Sequence, residues 1–289
     1  MKYFSESELI LNADGSIFHL HLLPHQLAEK IILVGDPDRV ELVASFFDTH
    51  ECVVANREFK TITGMYKEKR ITVLSTGIGT DNIDIVMNEL DALANIDLNT
   101  RTKKTQFKQL DIVRIGTCGG MQPDIPLGSF LASEHSIGFD GVLNFYAGRN
   151  EVADLQFEEA FKKHMSWSPL KASPYIVKAN KELLERITQH DMLRGVTISS
   201  NGFYGPQGRV LRLGLDDPSM NDKIESFRYN NHKITNYEME GSAIAGLAKL
   251  MGHKAMTVCC VIANRRVKAV NTDYKSVMLA LIEKVLERI

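Results

Sequence analysis

The chain has 289 residues, 44% of them hydrophobic, and a formal net charge of -2. That supports a sizeable core in one large domain or two modest ones, and the lack of a basic excess argues against nucleic acid and anionic membrane as partners. The four cysteines, Cys52, Cys118, Cys259 and Cys260, follow no zinc spacing and no C-x-x-C pattern, which fits a reducing, cytoplasmic setting. Residues 1–10 are polar and partly acidic, unlike a signal peptide, and the longest uncharged apolar run, 256–263, is too short to span a bilayer.

Residues 30–34 read as a buried strand that runs into Gly35-Asp36-Pro37-Asp38-Arg39. Asp36 as N-cap and Pro37 at the first helical position start a helix, amphipathic over 40–47. Residues 52–55 and 59–63 pattern as paired strands. The next strand, 71–75, stops at Thr76-Gly77-Ile78-Gly79-Thr80, before a helix over about 82–94. Residues 95–109 break the pattern: they are polar and basic (Arg101, Lys103, Lys104, Lys108) and read as an exposed loop with the composition of a mobile one.

A strand over 110–115 ends in Gly116-Thr117-Cys118-Gly119-Gly120, and two further β segments, 129–132 and 136–142, follow. Helix 154–164, strand 173–177, helix 179–189, strand 195–199 and a loop at 201–209 come next. Helix 222–229, strand 233–237, helix 242–251, strand 255–263 and helix 274–289 complete the chain. Alternation to the end argues for one α/β domain over 1–289 around a mixed sheet, with the basic insertion at about 95–109 exposed on it.

Three strand ends carry small residues: Gly35 with Arg39 close by, Thr76/Gly77/Gly79, and Gly116/Thr117/Gly119 with Arg114 beside them. Glycine lets backbone N–H groups approach a ligand, and arginine offers a planar fork for phosphate or carboxylate. Arg39 reads equally well as a helix-surface charge. Arg114 lies inside the apolar run Ile112-Val113-Arg114-Ile115, where a guanidinium needs an anion or a carboxylate as partner. Glu238 and Glu240, in Asn236-Tyr237-Glu238-Met239-Glu240-Gly241, sit where a strand ends and a helix begins, the place where open α/β sheets bind ligands. Helix capping is the other reading of these acids. The loop Phe203-Tyr204-Gly205-Pro206-Gln207-Gly208-Arg209 combines an aromatic ring, an amide and a guanidinium, which match a nucleobase edge as well as a polar turn. His19, His21, Arg57 and Glu58 have nothing in composition to single them out. Walker A, G-x-G-x-x-G after a strand, H-E-x-x-H and G-x-S-x-G are all missing, which removes the usual support for ATP-driven, nicotinamide, zinc-hydrolase and serine-hydrolase chemistry.

Taken in order, Gly35-Asp36-Pro37-Asp38-Arg39, Asn56-Arg57-Glu58-Phe59, Ser75-Thr76-Gly77-Ile78-Gly79, Arg114-Ile115-Gly116-Thr117, Asn236-Tyr237-Glu238-Met239-Glu240 and Val261-Ile262-Ala263-Asn264-Arg265 resemble the nucleoside phosphorylases of the purine/uridine phosphorylase type. The matches run through nearly the whole chain. The resemblance implies a three-layer α/β sandwich around a mixed central sheet, and a homo-oligomer (dimer or ring-like hexamer) with active sites shared between subunits. It implies phosphate binding by Gly35, Arg39, Arg114 and Thr117, with Arg57 reaching in from a neighbour. Ribose binding falls to Met239 and Glu240, with His19 again from the neighbour. Base binding falls to Phe203, Gln207 and Arg209, with Ile262 and Arg265 behind them and Glu238 at the boundary between base and ribose. Arg39, Arg114, Glu240 and Arg209 carry the catalysis.

The implied reaction is reversible phosphorolysis of uridine to uracil and ribose 1-phosphate in pyrimidine nucleoside salvage, with phosphate as co-substrate and no cofactor. Asn264 stands where many purine-specific members carry an aspartate general acid, and the Gln207/Arg209 pair fits a pyrimidine edge. The chain also departs from the pattern. Gly205-Pro206 replaces Pro-Gly, Gly208 replaces an acidic residue, and His21 stands where a glycine is common. Asn82 replaces a serine near Glu58 and Ile78, which line a potassium site in some relatives, so no metal is expected. The 95–109 insertion has no counterpart in the shorter bacterial enzymes. Three other readings remain: purine or broad-specificity phosphorolysis, a nucleosidase using water, and a non-catalytic nucleoside-binding relative. The retained Arg39, Arg57 and Arg114 argue against the nucleosidase.

Overall fold

A computed structural model describes residues 3–289; the first two residues of the N-terminal segment lie outside the described part. The chain opens with β1 (Lys30–Val34), α1 (Pro37–Ala44), the meander β2 (Thr49–Asn56), β3 (Phe59–Tyr66) and β4 (Lys69–Ser75), then α2 (Thr80–Asn95). A short ribbon, β5 (Ile96–Asp97) and β6 (Thr102–Lys103), precedes the long strands β7 (Asp111–Gly120) and β8 (Phe130–Gly138). Helices α3 (Arg149–Val152) and α4 (Leu155–Met165), strand β9 (Tyr175–Lys178), helix α5 (Lys181–Thr188) and strand β10 (Leu193–Ser199) follow. The chain ends with α6 (Met220–Ser226), the hairpin β11 (Arg228–Tyr229) and β12 (His232–Glu238), then α7 (Gly241–Met251), β13 (Lys254–Asn264), β14 (Ala269–Val270) and α8 (Lys275–Arg288).

The local chemistry of the helix starts is as the sequence dictates. The Asp36 carboxylate accepts from Asp38 N–H at 2.9 Å with Pro37 behind it, Asp154 accepts from Phe157 N–H at 3.1 Å, and Asn180 accepts from Leu183 N–H at 2.9 Å. Strand alternation then sorts the core. Ile31 and Leu33 of β1 pack with Ile83, Leu90, Ala243 and Leu247 of α2 and α7. Ile32 and Val34 pack with Val40, Val43, Leu281 and Val285 of α1 and α8 on the opposite face. Helices on both faces of one mixed sheet make the three layers that the resemblance implies.

The sheet runs β11-β12-β10-β8-β13-β7-β1-β4-β3-β2. β1, β4, β7 and β13 are parallel, and β8 opposes β13. β12 also pairs antiparallel with β7, through Asn236 with Gly120 and Tyr237 with Gly119. Strands β12, β10, β8, β13 and β7 therefore close on themselves, and the end of β12 is delivered to β7.

Three expectations change. Residues 129–142 hold one strand, β8, followed by a 3-10 turn at Val142–Phe145, with Gly141 in the left-handed region (φ 78°) at the corner. The stretch read as helix over 222–229 ends as a helix at Ser226, and Arg228–Tyr229 fold back onto β12. Residues 95–109 are a fastened ribbon instead of a loop with mobile character. Phe4 N–H bonds to Arg101 O at 2.9 Å, and the Lys104 ammonium reaches Leu93 O and Ala94 O, the last carbonyls of α2, both at 3.0 Å. Phe107 stacks over His253 with ring centroids 5.6 Å apart. These partners lie outside the segment, so its own composition could not reveal them. Among the described residues no helix is long and apolar enough to cross a membrane.

Candidate active site

The two acids of the 238–240 stretch have different surroundings. Glu238 ends β12 with its side chain fully buried. Its carboxylate accepts from Glu240 N–H at 2.9 Å, from Gly241 N–H at 2.9 and 3.1 Å, and from the Ser199 hydroxyl. It therefore satisfies the first free donors of α7. Glu240 faces the other way. One oxygen accepts from Gly79 N–H at 2.7 Å, at the start of α2, and the other takes an Arg114 Nη2–H. Gly79 has φ 97°, a conformation that presents its N–H and suits glycine.

Arg114 is buried at 5% exposure, with Nη1 also 3.3 Å from Glu238. Gly116 makes this possible: a Cβ there would lie 2.2 Å from Arg114 Nη1. Of the two partners the sequence left open for Arg114, an anion or a carboxylate, the structure supplies two carboxylates. Burial opposes the charge on Arg114, but Glu240 and then Glu238 outweigh it and raise its pKa, so the guanidinium stays charged. Burial pushes the Glu240 pKa up, Arg114 works against this, and Glu238 adds to it. The cluster holds two carboxylates and one guanidinium.

The other strand-end residues gather on the same edge of the sheet. Gly35 follows β1 and comes so close to β4's exit that a Cβ on it would lie 3.5 Å from Gly77 O. Thr117 pairs with Cys260 across β7 and β13. The charge of Arg39 acts on that same Cys260, whose thiol is pushed up to about 11 by burial first and Cys259 second, with Arg39 opposing. Arg39 and Thr117 are half-buried. Met239 is half-buried between the two acids.

The loop after β10 is held by its own groups. The Arg209 guanidinium carbon sits 3.7 Å from the centroid of the Phe203 ring. Its Nη1 donates to Phe203 O at 2.6 Å and to the Gln207 amide oxygen. Gln207 is buried, and its backbone oxygen accepts from Arg265 Nη1 at 2.9 Å, while Arg265 Nη2 reaches Gly208 O at 3.2 Å. Burial and the nearby Arg265 lower Arg209 to about 10. Ile262 is half-buried on β13, three residues before Arg265. Asn264 is fully engaged: its amide donates to Gln122 O and Ile125 O, both at 2.9 Å, and its oxygen accepts from Arg266 N–H at 3.0 Å and Val267 N–H at 3.3 Å.

His19 and Arg57 form a separate cluster. His19 Nδ1 lies 2.6 Å from Glu89 Oε1, and Glu89 also accepts from the backbone N–H groups of His19 and Leu20. Asn56 donates to His19 O at 2.7 Å, and the exposed Arg57 guanidinium stands 6.0 Å from the Phe18 ring centroid. Among the described residues, none of these polar contacts reaches Arg114, Glu240 or Arg209. Glu58 and Asn82 crowd Gly77, and Ile78 is 74% exposed next to it. His19 borders a cleft of about 850 Å³ between the N-terminal segment and α2.

Sequence reading missed Ser199 and Glu89; it singled out the strand end at Gly79, but not that Glu240 takes its N–H. Ser199 ends a strand that the sequence did predict, so the strand-end rule applied to it would have found it. Glu89, in the middle of a helix, carries no such signal.

With this geometry in view, three comparisons bear on the chain. The family described as the phosphorylase superfamily matches residues 29–287. A uridine phosphorylase of Thermococcus kodakarensis is 30% identical over 271 residues, covering 91% of this chain and 82% of the relative. A uridine phosphorylase of Escherichia coli is 31% identical, covering 88% of each. The crystal structure of a Trypanosoma brucei nucleoside phosphorylase that shows uridine phosphorylase activity superposes with a TM-score of 0.88 at 28% identity, over 97% of this chain and 98% of that one. The buried Arg114–Glu240 pair thus stands on the fold expected for it, and the chain belongs to the purine/uridine nucleoside phosphorylase family of the phosphorylase superfamily.

Proposed function

We propose that this chain catalyses the reversible phosphorolysis of uridine to uracil and ribose 1-phosphate, with inorganic phosphate as co-substrate and no further cofactor. The observation that carries this reading is the buried Arg114, bonded to Glu240, which in turn holds Gly79 N–H, at the C-terminal edge of the sheet. Arg39, Arg114, the Thr117 hydroxyl and the backbone at Gly35 bind the phosphate. Arg57 of a neighbouring copy completes its neutralisation. Glu240, beside Met239, accepts from the ribose hydroxyls, and His19 of the neighbouring copy closes over the sugar.

Phosphate attacks the anomeric carbon as the glycosidic bond loosens, through a transition state of oxocarbenium character. Positioning of the anion and electrostatic offset of its charge lower the barrier. The electron pair of the broken bond leaves with the pyrimidine, where Gln207 and Arg209 stabilise the negative charge. Phe203 exchanges its stack with Arg209 for one with the base. Ile262 and Arg265 back this subsite, and Glu238 braces it from below. The engagement of Asn264 with four backbone groups supports a pyrimidine over a purine, because its side chain is not free to serve a purine ring.

The contacts of His19 and Arg57 with Glu89, Asn56 and Phe18, and not with Arg114 or Glu240, support a homo-oligomer in which a neighbouring copy supplies these two residues. Four free thiols accord with a cytoplasmic setting. The test is turnover of uridine, deoxyuridine, thymidine and inosine with and without phosphate. Uracil release that needs phosphate, with uridine ahead of inosine, is the expected result. Equal release without phosphate would mean a nucleosidase, and preference for inosine a purine enzyme.

A further inference from the structure

A second group of polar side chains lies at the far end of β12. In the ladder between β8 and β10, Ser133 pairs with Gly195 and His135 with Val196, leaving Glu134 as an extra residue. Plain alternation would send Glu134 and His135 to opposite faces. The bulge re-aims them. His232 arrives from the other side of β10, two residues before Ile234, which like His135 pairs with Val196. The His135 and His232 rings meet with centroids 4.5 Å apart at 62°. One ligand atom from each of Glu134, His135 and His232 lies within 4.8 Å of the others.

The polar accounting of this group is incomplete. His135 is 4% exposed, and its Nδ1 is buried with no hydrogen-bond partner. A buried polar atom without a partner is costly and calls for an explanation. Among the described residues, neither the Glu134 carboxylate nor the His232 ring has a hydrogen-bond or ion-pair partner. The neighbouring charges, Lys178 and Asp154, face one another at 3.9 Å and largely offset each other. Phe157 walls the group off, 5.6 Å from the His135 ring and 6.1 Å from the His232 ring.

We propose that Glu134, His135 and His232 bind a divalent transition-metal ion of the zinc class, with water completing the coordination. Two neutral imidazoles and one carboxylate form a donor set that suits such an ion and not magnesium or calcium. The ion would clip β8 to the β11–β12 hairpin across β10. Glu238 lies six residues along β12 from His232, about 20 Å at strand spacing, so the ion stabilises the sheet without entering the phosphorolysis.

The test uses the full chain stripped with a chelator, then titrated with Zn²⁺ by calorimetry and with Co²⁺ by visible absorption. One equivalent of Zn²⁺ per chain, a Co²⁺ ligand-field band and a Zn²⁺-dependent rise in Tm are expected. His232→Ala and Glu134→Gln should weaken Zn²⁺ binding at least about tenfold, with uridine turnover of the stripped proteins unchanged. His232 is half-buried, so its removal spares the core where His135→Gln would threaten folding. Failure of the wild-type chain to take up a stoichiometric ion, or wild-type affinity in both variants, overturns the site. Neither result bears on the phosphorolysis reading, which rests on other residues.

Discussion

Arg114 and Arg209 are two of the guanidinium groups in the proposed site, and the chain holds them in opposite ways. Arg114 is fixed by three strands and two buried carboxylates, with Gly116 cut away to admit it. Arg209 is held inside its own loop, against Phe203 and Gln207, with Phe203 itself 51% exposed. Among the described residues no carboxylate pairs with it, and burial first and Arg265 second lower its pKa. One group is preorganised and inseparable from the fold. The other makes its contacts within one loop, which in the proposed function a base would replace. In the proposed reaction, phosphate and sugar would meet a rigid floor, and the base a loop that trades its own contacts for the ligand's.

Breaking the rigid side should have the largest effect. Arg114→Ala leaves Glu238 and Glu240 buried together without their cation. Uridine phosphorolysis should fall about 10³-fold or more, and stability in denaturant should drop by about 3–5 kcal/mol. A variant that keeps both within error would mean that the pair is an ornament of the sheet.

Glu240→Gln keeps the shape and removes the charge. Loss of one charge-assisted contact of about 1.5–3 kcal/mol corresponds to a fall in kcat/KM of about 10- to 150-fold. Its pH profile sharpens the point. Burial raises the Glu240 carboxyl, against Arg114 and with Glu238. The wild-type rate should therefore fall, as pH drops, around a midpoint above the ordinary carboxylate value, and this limb should vanish in Glu240→Gln. The stability contribution has the opposite sign. The folded state holds that proton more tightly than the unfolded chain, so the stability it adds is complete below the unfolded pKa and is lost as pH rises through the folded one.

On the loop side, Arg209→Ala should cost about tenfold in kcat/KM for uridine, the lower end of what a charged contact contributes. The KM for phosphate should stay constant, and stability should shift by no more than about 0.5 kcal/mol, as for a surface substitution. A stability loss as large as that of Arg114→Ala would erase the distinction between the two groups. The smallest effect is expected at Lys104→Ala, which frees the last carbonyls of α2: about 0.3–1 kcal/mol of stability, read by thermal denaturation, with unchanged turnover.

Much of the site could be read from local sequence because it sits at strand ends, and strand ends are written in neighbouring residues. The apolar run of β1, the Asp36-Pro37 helix start and the change from strand to helix at 238–241 each depend on contacts a few residues apart. The charge inside Ile112-Val113-Arg114-Ile115 already demanded an anion or a carboxylate as partner.

Which carboxylate does what was not legible. Glu238 and Glu240 are two residues apart and chemically alike, yet one caps α7 and the other joins Arg114 to Gly79, across 126 and 161 residues of chain. That assignment depends on β12 closing against β7, a pairing between strands more than a hundred residues apart. The anchoring of 95–109 by Arg101 and Lys104 and the meeting of His135 with His232 have the same origin. Local propensity and alternation determined which residues would be strand, helix and turn, because those depend on the nearest neighbours along the chain. The sheet order, set by long-range packing, decided which of the exposed and buried charges became partners.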